Sequence, residues 1–385
     1  MELDLPAKKN IIVLALGAES AGNFLVYKNG KVFFSEDFGD LLKEANWEKY
    51  QISVLAYLKA SGIKPEIVLT DFHPLYKTTI WGKELASKYH AKFIPIQHHH
   101  AHIFSAIGDK LLNSTNHKLP TCRTGRQATS YGIAMDGTGY GTDEKIWGGE
   151  VFKIKKQEIS RIGHLENQVM LGGDLAVREP ARMLIGVLSK MLSNKEIYPF
   201  VKKYYTQNQF ELLYNQLSQN FNCQETSSTG RILDAVSLLL GFCNNERKYK
   251  HEPIDLLEKN STVPYSDLKP EIIFDKKEKI YILLTTPLFE YLIKNITRDK
   301  KKLSATAQLY IAKGLHEITS KKQEARNLPT GQTDKKQEFF ISGGLANNKI
   351  ISSFLESKGA YANKKIPRGD AGLSFGQIIY YLLKK

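Results

Sequence analysis

Tyr131-Gly-Ile-Ala-Met-Asp136, then Gly137-Thr-Gly139-Tyr-Gly141, then Ile146-Trp-Gly-Gly-Glu-Val-Phe-Lys153 and Ile159 to His164, reads as a strand, a glycine-rich turn and two further strands. The same plan opens the chain. There Ile11-Ile-Val-Leu-Ala-Leu leads through Gly17-Ala-Glu-Ser20 to Phe24–Lys28, Asn29-Gly30 and Lys31–Ser35. Asn-Gly between two apolar runs is a strong hairpin signal, so three antiparallel strands are predicted. Two strand-turn-strand units, each with glycines after its first strand, predict an internal duplication.

Outward from these units the chain alternates helix and strand. Helical periodicity spans Trp47 to Lys59, Ile67–Thr70 is a short buried strand, Thr79–Tyr89 a helix, and Lys92–Ile96 a strand feeding a histidine-bearing helix. This predicts an α/β first lobe over residues 1–112. Residues 113–130 are polar, with Pro120 and Gly125, and read as a linker or surface loop. A second lobe is expected over 131–385. It holds an all-helical insertion at about 169–320, from helices at Arg178–Ser193, Asn208–Asn222, Arg231–Asn244, Leu288–Thr297 and Ala305–Ser320. After a polar loop at Lys321–Gln337 the core returns as Glu338–Ile341, a Ser342-Gly343-Gly344 turn, a helix from Asn348 to Lys358 and a last helix from Gly372 to Leu383. Actin-like ATPase folds pair two such lobes around a phosphate-binding cleft, and that is the fold predicted here.

The 385 residues, 42% hydrophobic and 24% charged, suit a globular protein of two lobes. Ile11 to Ala18 is far too short to span a bilayer, so no membrane association is expected. Cys122, Cys223 and Cys243 stand singly, which excludes a zinc ribbon and fits a reducing cytoplasm. A net charge of +14 favours phosphate-bearing ligands, nucleic acid or an acidic protein partner without choosing among them.

Ile94-Pro-Ile-Gln97-His98-His99-His100-Ala101-His102 places His98 and His102 one helical turn apart, on one face. Neutral imidazole is a common ligand of transition metals. Asp136 ends a strand, and Asp370 sits in a Gly-Asp-Ala-Gly loop before a helix; such carboxylates bind divalent cations or, alternatively, cap turns and helices. Together the four give a His2Asp2 set suited to iron, zinc or manganese, with magnesium also possible. Gly137 and Gly139, like Gly343 and Gly344, follow strands and can admit phosphate to backbone N–H groups. Gly172-Gly173-Asp174 can hold ribose hydroxyls, and Arg178 and Arg182, one turn apart, can grip a phosphate or carboxylate or else pair with Glu179 on a solvated face. Ser227-Ser-Thr-Gly230-Arg231 before Asp234 reads as a helix-capping run, with contact to a nucleotide as the second reading. No serine-hydrolase elbow, Walker loop or kinase signature is present.

These motifs resemble a known family. Gln97-His-His-His-Ala-His102, Met135-Asp-Gly-Thr-Gly-Tyr-Gly141 with Trp147-Gly-Gly-Glu150, Gly172-Gly-Asp-x-Ala-x-Arg-Glu-Pro-x-Arg-Met183, Ser228-Thr-Gly-Arg-x-x-Asp-Ala235 and Ser342-Gly-Gly-x-x-x-Asn348 are similar to the C-terminal part of the HypF carbamoyltransferases. That part is related to the tRNA threonylcarbamoyltransferases and the antibiotic O-carbamoyltransferases. The resemblance implies an actin-like (ASKHA) fold in which His98, His102, Asp136 and Asp370 hold a metal. It also implies that Asp174, Gly230, Asp234 and Asn348 line the nucleoside side of an ATP/AMP site, with Gly343 and Gly344 in the adenosine loop. A lysine is implied where Ala21 stands.

The implied chemistry is transfer of a carbamoyl group from carbamoyl-adenylate to a cysteine thiol of a HypE-like acceptor during nickel-iron hydrogenase maturation. His98, His102, Asp136, Arg178 and Arg182 are the expected catalytic residues. The first strand begins within a dozen residues of Met1, leading to the expectation that acylphosphatase-like, zinc-finger and YrdC-like domains are missing and that a separate YrdC-like protein makes the donor. Alternatives are tRNA or small-molecule carbamoylation, and a non-catalytic nucleotide-binding partner.

Overall fold

A computed structural model describes residues 2–5, 9–113, 129–155, 158–324 and 337–384. In the first lobe β1 (Glu2–Asp4), β2 (Ile12–Ala15), β3 (Leu25–Lys28) and β4 (Lys31–Phe34) are followed by α1 (Glu44–Ser61), β5 (Ile67–Asp71), α2 (Lys77–Tyr89), β6 (Lys92–Ile96) and α3 (His98–Asn113). The six strands form one sheet in the order β1-β4-β3-β2-β5-β6, antiparallel through β2, β3 and β4, and parallel through β2, β5 and β6. Asn29 and Gly30 both have positive φ, 51° and 94°, the geometry a two-residue hairpin with right-handed strand twist requires. Helix α1 buries Trp47, Tyr50, Val54 and Leu58 along one stripe and stops at Gly62, whose φ of 63° is left-handed.

The second lobe repeats the plan. β7 (Ser130–Met135), β8 (Gly149–Lys155) and β9 (Glu158–Leu165) are antiparallel, and β7 also pairs in parallel with β14 (Glu338–Ser342), which pairs in parallel with β15 (Ala360–Ala362). The duplication is therefore visible in strand direction: β2 and β7 each have an antiparallel hairpin on one side and parallel strands on the other.

Between β9 and β14 lie β10 (Gln168–Leu171), α4 (Leu175–Arg178), α5 (Pro180–Leu188), α6 (Asn194–Val201), α7 (Gln207–Ser218), β11 (Cys223–Thr226), α8 (Thr229–Leu240), α9 (Glu252–Lys259), β12 (Ile272–Asp275), β13 (Ile280–Leu283), α10 (Thr286–Lys294) and α11 (Lys300–Glu324). The expectation of an all-helical insertion is corrected here. β10 and β11 form an antiparallel ribbon, while β12 and β13 extend the large sheet to the order β12-β13-β9-β8-β7-β14-β15. Ile280-Tyr-Ile-Leu283 belongs to the sheet because β9 offers it a parallel edge, a partner far away in sequence. The expected linker begins where α3 ends and closes where β7 starts; its residues 114–128 lie outside the described residues, as do 325–336 of the expected loop after α11. Among the described residues no helix is long and apolar enough to cross a membrane.

After β14 come a 3-10 turn (Gly344–Asn347), α12 (Lys349–Ser357), β15, a second 3-10 turn (Asp370–Gly372) and α13 (Leu373–Leu383). α13 lies against α3, and one core of buried side chains runs from Val13 and Leu25 through Ile103, Ile107, Phe375 and Ile379 to Phe152 and Phe340, so it joins the two sheets. Backbones meet within it: a Cβ on Gly376 would stand 1.8 Å from the Ala101 carbonyl oxygen. Gly108 likewise faces Phe375 and Ile379, with no room for a methyl group.

Overpacking a close helix crossing typically costs about 1–3 kcal/mol, and Gly376→Ala is expected to lower stability to urea denaturation by at least that much. Because α3 carries two residues of the site described next and the turn leading into α13 carries a third, the variant is also expected to lose metal affinity under conditions where circular dichroism shows it folded.

Candidate metal centre

The strand β6 ends in buried Ile96, and Gln97 then turns the chain into α3 by accepting the His100 N–H on its Oε1 at 3.0 Å. With the helix start held, His98 and His102 share a face and their rings meet at 4.7 Å between centroids. His99 points elsewhere, against Gly139 and Trp147, and a Cβ on Gly139 would come within 2.4 Å of its ring. His100 packs on Tyr380 and Phe152, where burial pushes its pKa down to about 3 and keeps the ring neutral.

Asp136 at the end of β7 and Asp370 in the turn before α13 complete the centre. His98 Nε2 and His102 Nε2 lie 3.1 Å apart, 3.1 and 3.2 Å from Asp136 Oδ2, and each 3.4 Å from Asp370 Oδ1. One ligand atom from each of the four residues falls within 4.8 Å of every other. Asp136 is positioned by its own backbone, whose N–H donates to Gly148 O and whose carbonyl accepts the Gly230 N–H, while Oδ1 takes the Gly137 N–H at 2.7 Å. Ser20, from the loop after β2, donates its hydroxyl to Asp370 Oδ2, and Lys250 approaches the same oxygen at 3.4 Å.

Asp71, at the end of β5, is the residue sequence reasoning missed. It is fully buried, and its Oδ2 lies 2.6 Å from His98 Nδ1. A carboxylate can only accept, so Nδ1 carries a proton toward Asp71, and Nε2 is the nitrogen that faces Asp136 and Asp370 and that a cation would take on release of its own proton. Asp71 Oδ1 in turn accepts the His73 N–H. The signal was available: Asp71 ends a strand before a turn, as Asp136 does.

Burial pulls the His98 pKa down, but Asp71, Asp136 and Asp370 outweigh it and the net shift is well upward; His102 follows the same pattern less strongly. Burial and mutual repulsion would raise both aspartates, yet the two imidazoles hold them well below the usual carboxylate range. The centre thus gathers two carboxylates and two proton-bearing imidazoles, whose protons a cation would replace. Asp370 Oδ1 is buried with no hydrogen-bond partner among the described residues. That orphaned oxygen, aimed at two Nε2 atoms, fits a divalent ion bound by His98, His102, Asp136 and Asp370.

Beside this centre opens a cleft of about 470 Å³, lined by Ser20, Ala21, Asp136, Gly344, Asn348 and Asp370 among others. Gly344 faces it, its missing Cβ lying 3.1 Å from Asp136 Oδ1. Asn348 also caps α12 through Ile351 N and donates to Gln308 Oε1. The other glycines do something different from cradling phosphate. Gly343, at φ 99°, lets the turn cross the Met135 carbonyl; Gly137 and Gly230 stack so closely that a Cβ on Gly230 would be 2.8 Å from Gly137 Cα; Gly139 makes room for His98 and His99.

Three further expectations change. Asp234 does not line the cleft: it is fully buried and ion-paired with Arg231 and Arg247. Arg178 and Arg182 do not share a helical face, because Glu179 breaks from helical geometry (φ −113°, ψ 89°) and Pro180 starts a new helix. Arg182 pairs with Glu179 at 2.8 Å, while Arg178 is exposed. Gly173 has φ 57° in the turn before α4, and Asp174 is exposed at its start; neither lines the cleft beside the metal centre.

Residues 132–377 match a family model described as the second subdomain of the carbamoyltransferase Kae1-like domain, and residues 8–109 match the HypF Kae1-like domain. The chain is 34% identical over 397 residues to the probable carbamoyltransferase HypF of Methanocaldococcus jannaschii, covering 98% of this chain and 48% of that one. It is 25% identical over 378 residues to the carbamoyltransferase HypF of Rhodobacter capsulatus, covering 95% and 46%. Its structure is similar to the crystal structure of T. kodakarensis HypF, with TM-score 0.83 and 29% identity over 100% of this chain and 49% of that one. A full-length HypF crystallised in a phosphate- and nucleotide-bound form shares the fold at TM-score 0.83, 24% identity, covering 99% and 47%. The chain spans about half the length of the curated relatives it matches.

Two outcomes are expected. Asp71→Asn should weaken metal binding by roughly 10–100-fold while leaving stoichiometry and fold intact, measured by competition with a chelator. Affinity should also fall on acidification, because His98 and His102 hold protons at higher pH than ordinary histidines and must release them to bind a cation. Titrations from pH 8 to pH 5.5 should show weaker binding at each step down, with proton release in calorimetry.

Proposed function

Because this chain belongs to the HypF carbamoyltransferase family, by its Kae1-like part, we propose that it moves a carbamoyl group from carbamoyl-adenylate to a cysteine thiol of a HypE-like acceptor. In this reading the product serves cyanide-ligand synthesis for nickel-iron hydrogenases, and a separate YrdC-like protein supplies the donor. The observation that carries it is the convergence of His98, His102, Asp136 and Asp370 at the end of a cleft large enough for a nucleotide.

The acceptor sulfur, as thiolate, forms a bond to the carbamoyl carbon. The bond from that carbon to the phosphate oxygen breaks, and AMP leaves with the electron pair. A bound iron, zinc, manganese or magnesium ion would supply Lewis-acid stabilisation of the charge gathering on that phosphate. The chain's own contribution is placement. Asp71 fixes the His98 tautomer, Ser20 from the first lobe orients Asp370 from the second, and Gly344 leaves the approach to Asp136 open. Asn348 and Gly344 face the nucleoside, where the open backbone of the turn admits it without a side chain in the way. Holding donor and acceptor in register converts an encounter into a local reaction, the larger part of what such a site can provide.

The test supplies carbamoyl phosphate, ATP and a separate YrdC-like protein, with a peptide ending in cysteine as acceptor. Mass spectrometry should show a carbamoyl adduct on the thiol with wild type and at least about a hundredfold less with His98→Ala, since two or more ligand-dependent terms are lost together. No adduct with either protein, while AMP still binds, would replace this reading with that of a nucleotide-binding partner. An adduct on tRNA instead would move the substrate class.

A further inference from the structure

The cleft beside the metal centre has a charge problem that its own walls expose. It is lined by the carboxylates of Asp136, Asp255, Glu258 and Asp370, against two permanent cations, Lys250 and Arg368. Arg368 is already committed: its guanidinium donates to the carbonyls of Asn363 and Ala346 and pairs with Glu356 at 3.1 Å. His251, lowered by burial and by Lys250, adds no charge near neutral pH. The loop before β3 contributes only Ser20 and Ala21. A nucleotide phosphate entering here would face four carboxylates, and a divalent ion on Asp136 and Asp370 would offset only those two.

Lys250 stands where the missing charge is needed. Its ammonium lies 3.4 Å from Asp370 Oδ2, on the oxygen that does not face the histidines, and its side chain is 55% exposed to the cleft and solvent. Its backbone is held from behind. The Lys250 carbonyl accepts from Arg247 Nη1 at 2.7 Å, Arg247 Nη2 pairs with fully buried Asp234, and Arg231 Nη2 shares that carboxylate at 3.0 Å. Asp234 thus anchors the segment before α9 from the interior, while the long side chain of Lys250 keeps the freedom to leave Asp370. An ammonium resting on the outer oxygen of a metal-ligating carboxylate is one side-chain rotation from an anion bound beside the metal.

The geometry points to Lys250 as the phosphate-binding residue of the cleft, parked on Asp370 when the site holds no nucleotide and transferring to the phosphate of a bound nucleoside monophosphate. This rests on the cleft being the nucleotide site proposed above. It assigns to Asp234 and Arg247 a positioning role, holding the loop from which Lys250 reaches.

Calorimetry on the full chain loaded with Mn2+ tests it, with AMP and adenosine as separate probes. Lys250→Ala should weaken AMP binding about tenfold or more while adenosine binding changes less than about twofold, the pattern of a lost charge-assisted contact to phosphate. Lys250→Arg should restore AMP binding to within about threefold, since a guanidinium keeps the charge. Mn2+ content should be the same in all three proteins. Equal weakening of AMP and adenosine, no weakening of either, or a fall in Mn2+ content would overturn the assignment while leaving the nucleotide site standing. Failure of wild type to bind AMP would overturn both.

Discussion

Gly376 has no side chain, and for that reason α13 can lie directly on the Ala101 carbonyl of α3. The consequence is geometric. α3 carries His98 and His102 from the first lobe, and the turn before α13 carries Asp370 from the far end of the chain. Were those helices separated by even a methylene layer, the 3.4 Å approaches of Asp370 Oδ1 to both imidazoles would open beyond the reach of one ion. The core around this crossing draws on both sheets, so the cost of keeping the helices close is spread over many buried apolar side chains rather than borne by the polar centre.

The polar centre needs that support. Four ionisable groups converge in a buried place, and two of them are carboxylates that repel each other. The carboxylates and the imidazoles stabilise each other's charge, which is why both imidazoles are shifted upward against their own burial. Burying such an arrangement is costly unless every charge is paired. Here the pairing is extended outward: Asp71 behind His98, Ser20 and Lys250 behind Asp370, the Gly137 N–H behind Asp136. These contacts come from four different segments, and they bind the centre to both lobes at once.

The same closeness explains the glycines. Gly137, Gly139, Gly230 and Gly343 are needed because backbones and rings pass each other within contact distance around Asp136, whereas Gly344 lines the cleft. A strand followed by glycines looks the same in sequence whether the space is kept for a ligand or for the protein itself. Asp234 shows the parallel ambiguity for carboxylates. Its place after Ser228-Thr-Gly-Arg231 suggests a surface facing a nucleotide, whereas Arg247, thirteen residues on and outside any motif, turns it into an internal anchor.

What the sequence by itself determined are the features whose causes are local. Apolar runs and Asn29-Gly30 specify the hairpins, the spacing of Trp47, Tyr50, Val54 and Leu58 specifies α1, and the four-residue step from His98 to His102 specifies a shared face. The repetition of strand, turn and strand was enough to expect two lobes of one plan. Tertiary structure decided whatever depends on partners distant in the chain. β12 and β13 became strands because β9 offered an edge, and Asp71 became the partner of His98 because β5 and β6 run side by side. Arg178 and Arg182 lost their common face because Pro180 restarts the helix and Glu179 takes Arg182 as its partner. Hydrogen bonds and ion pairs act over a few ångströms in space, and only the folded chain says which residues those few ångströms contain.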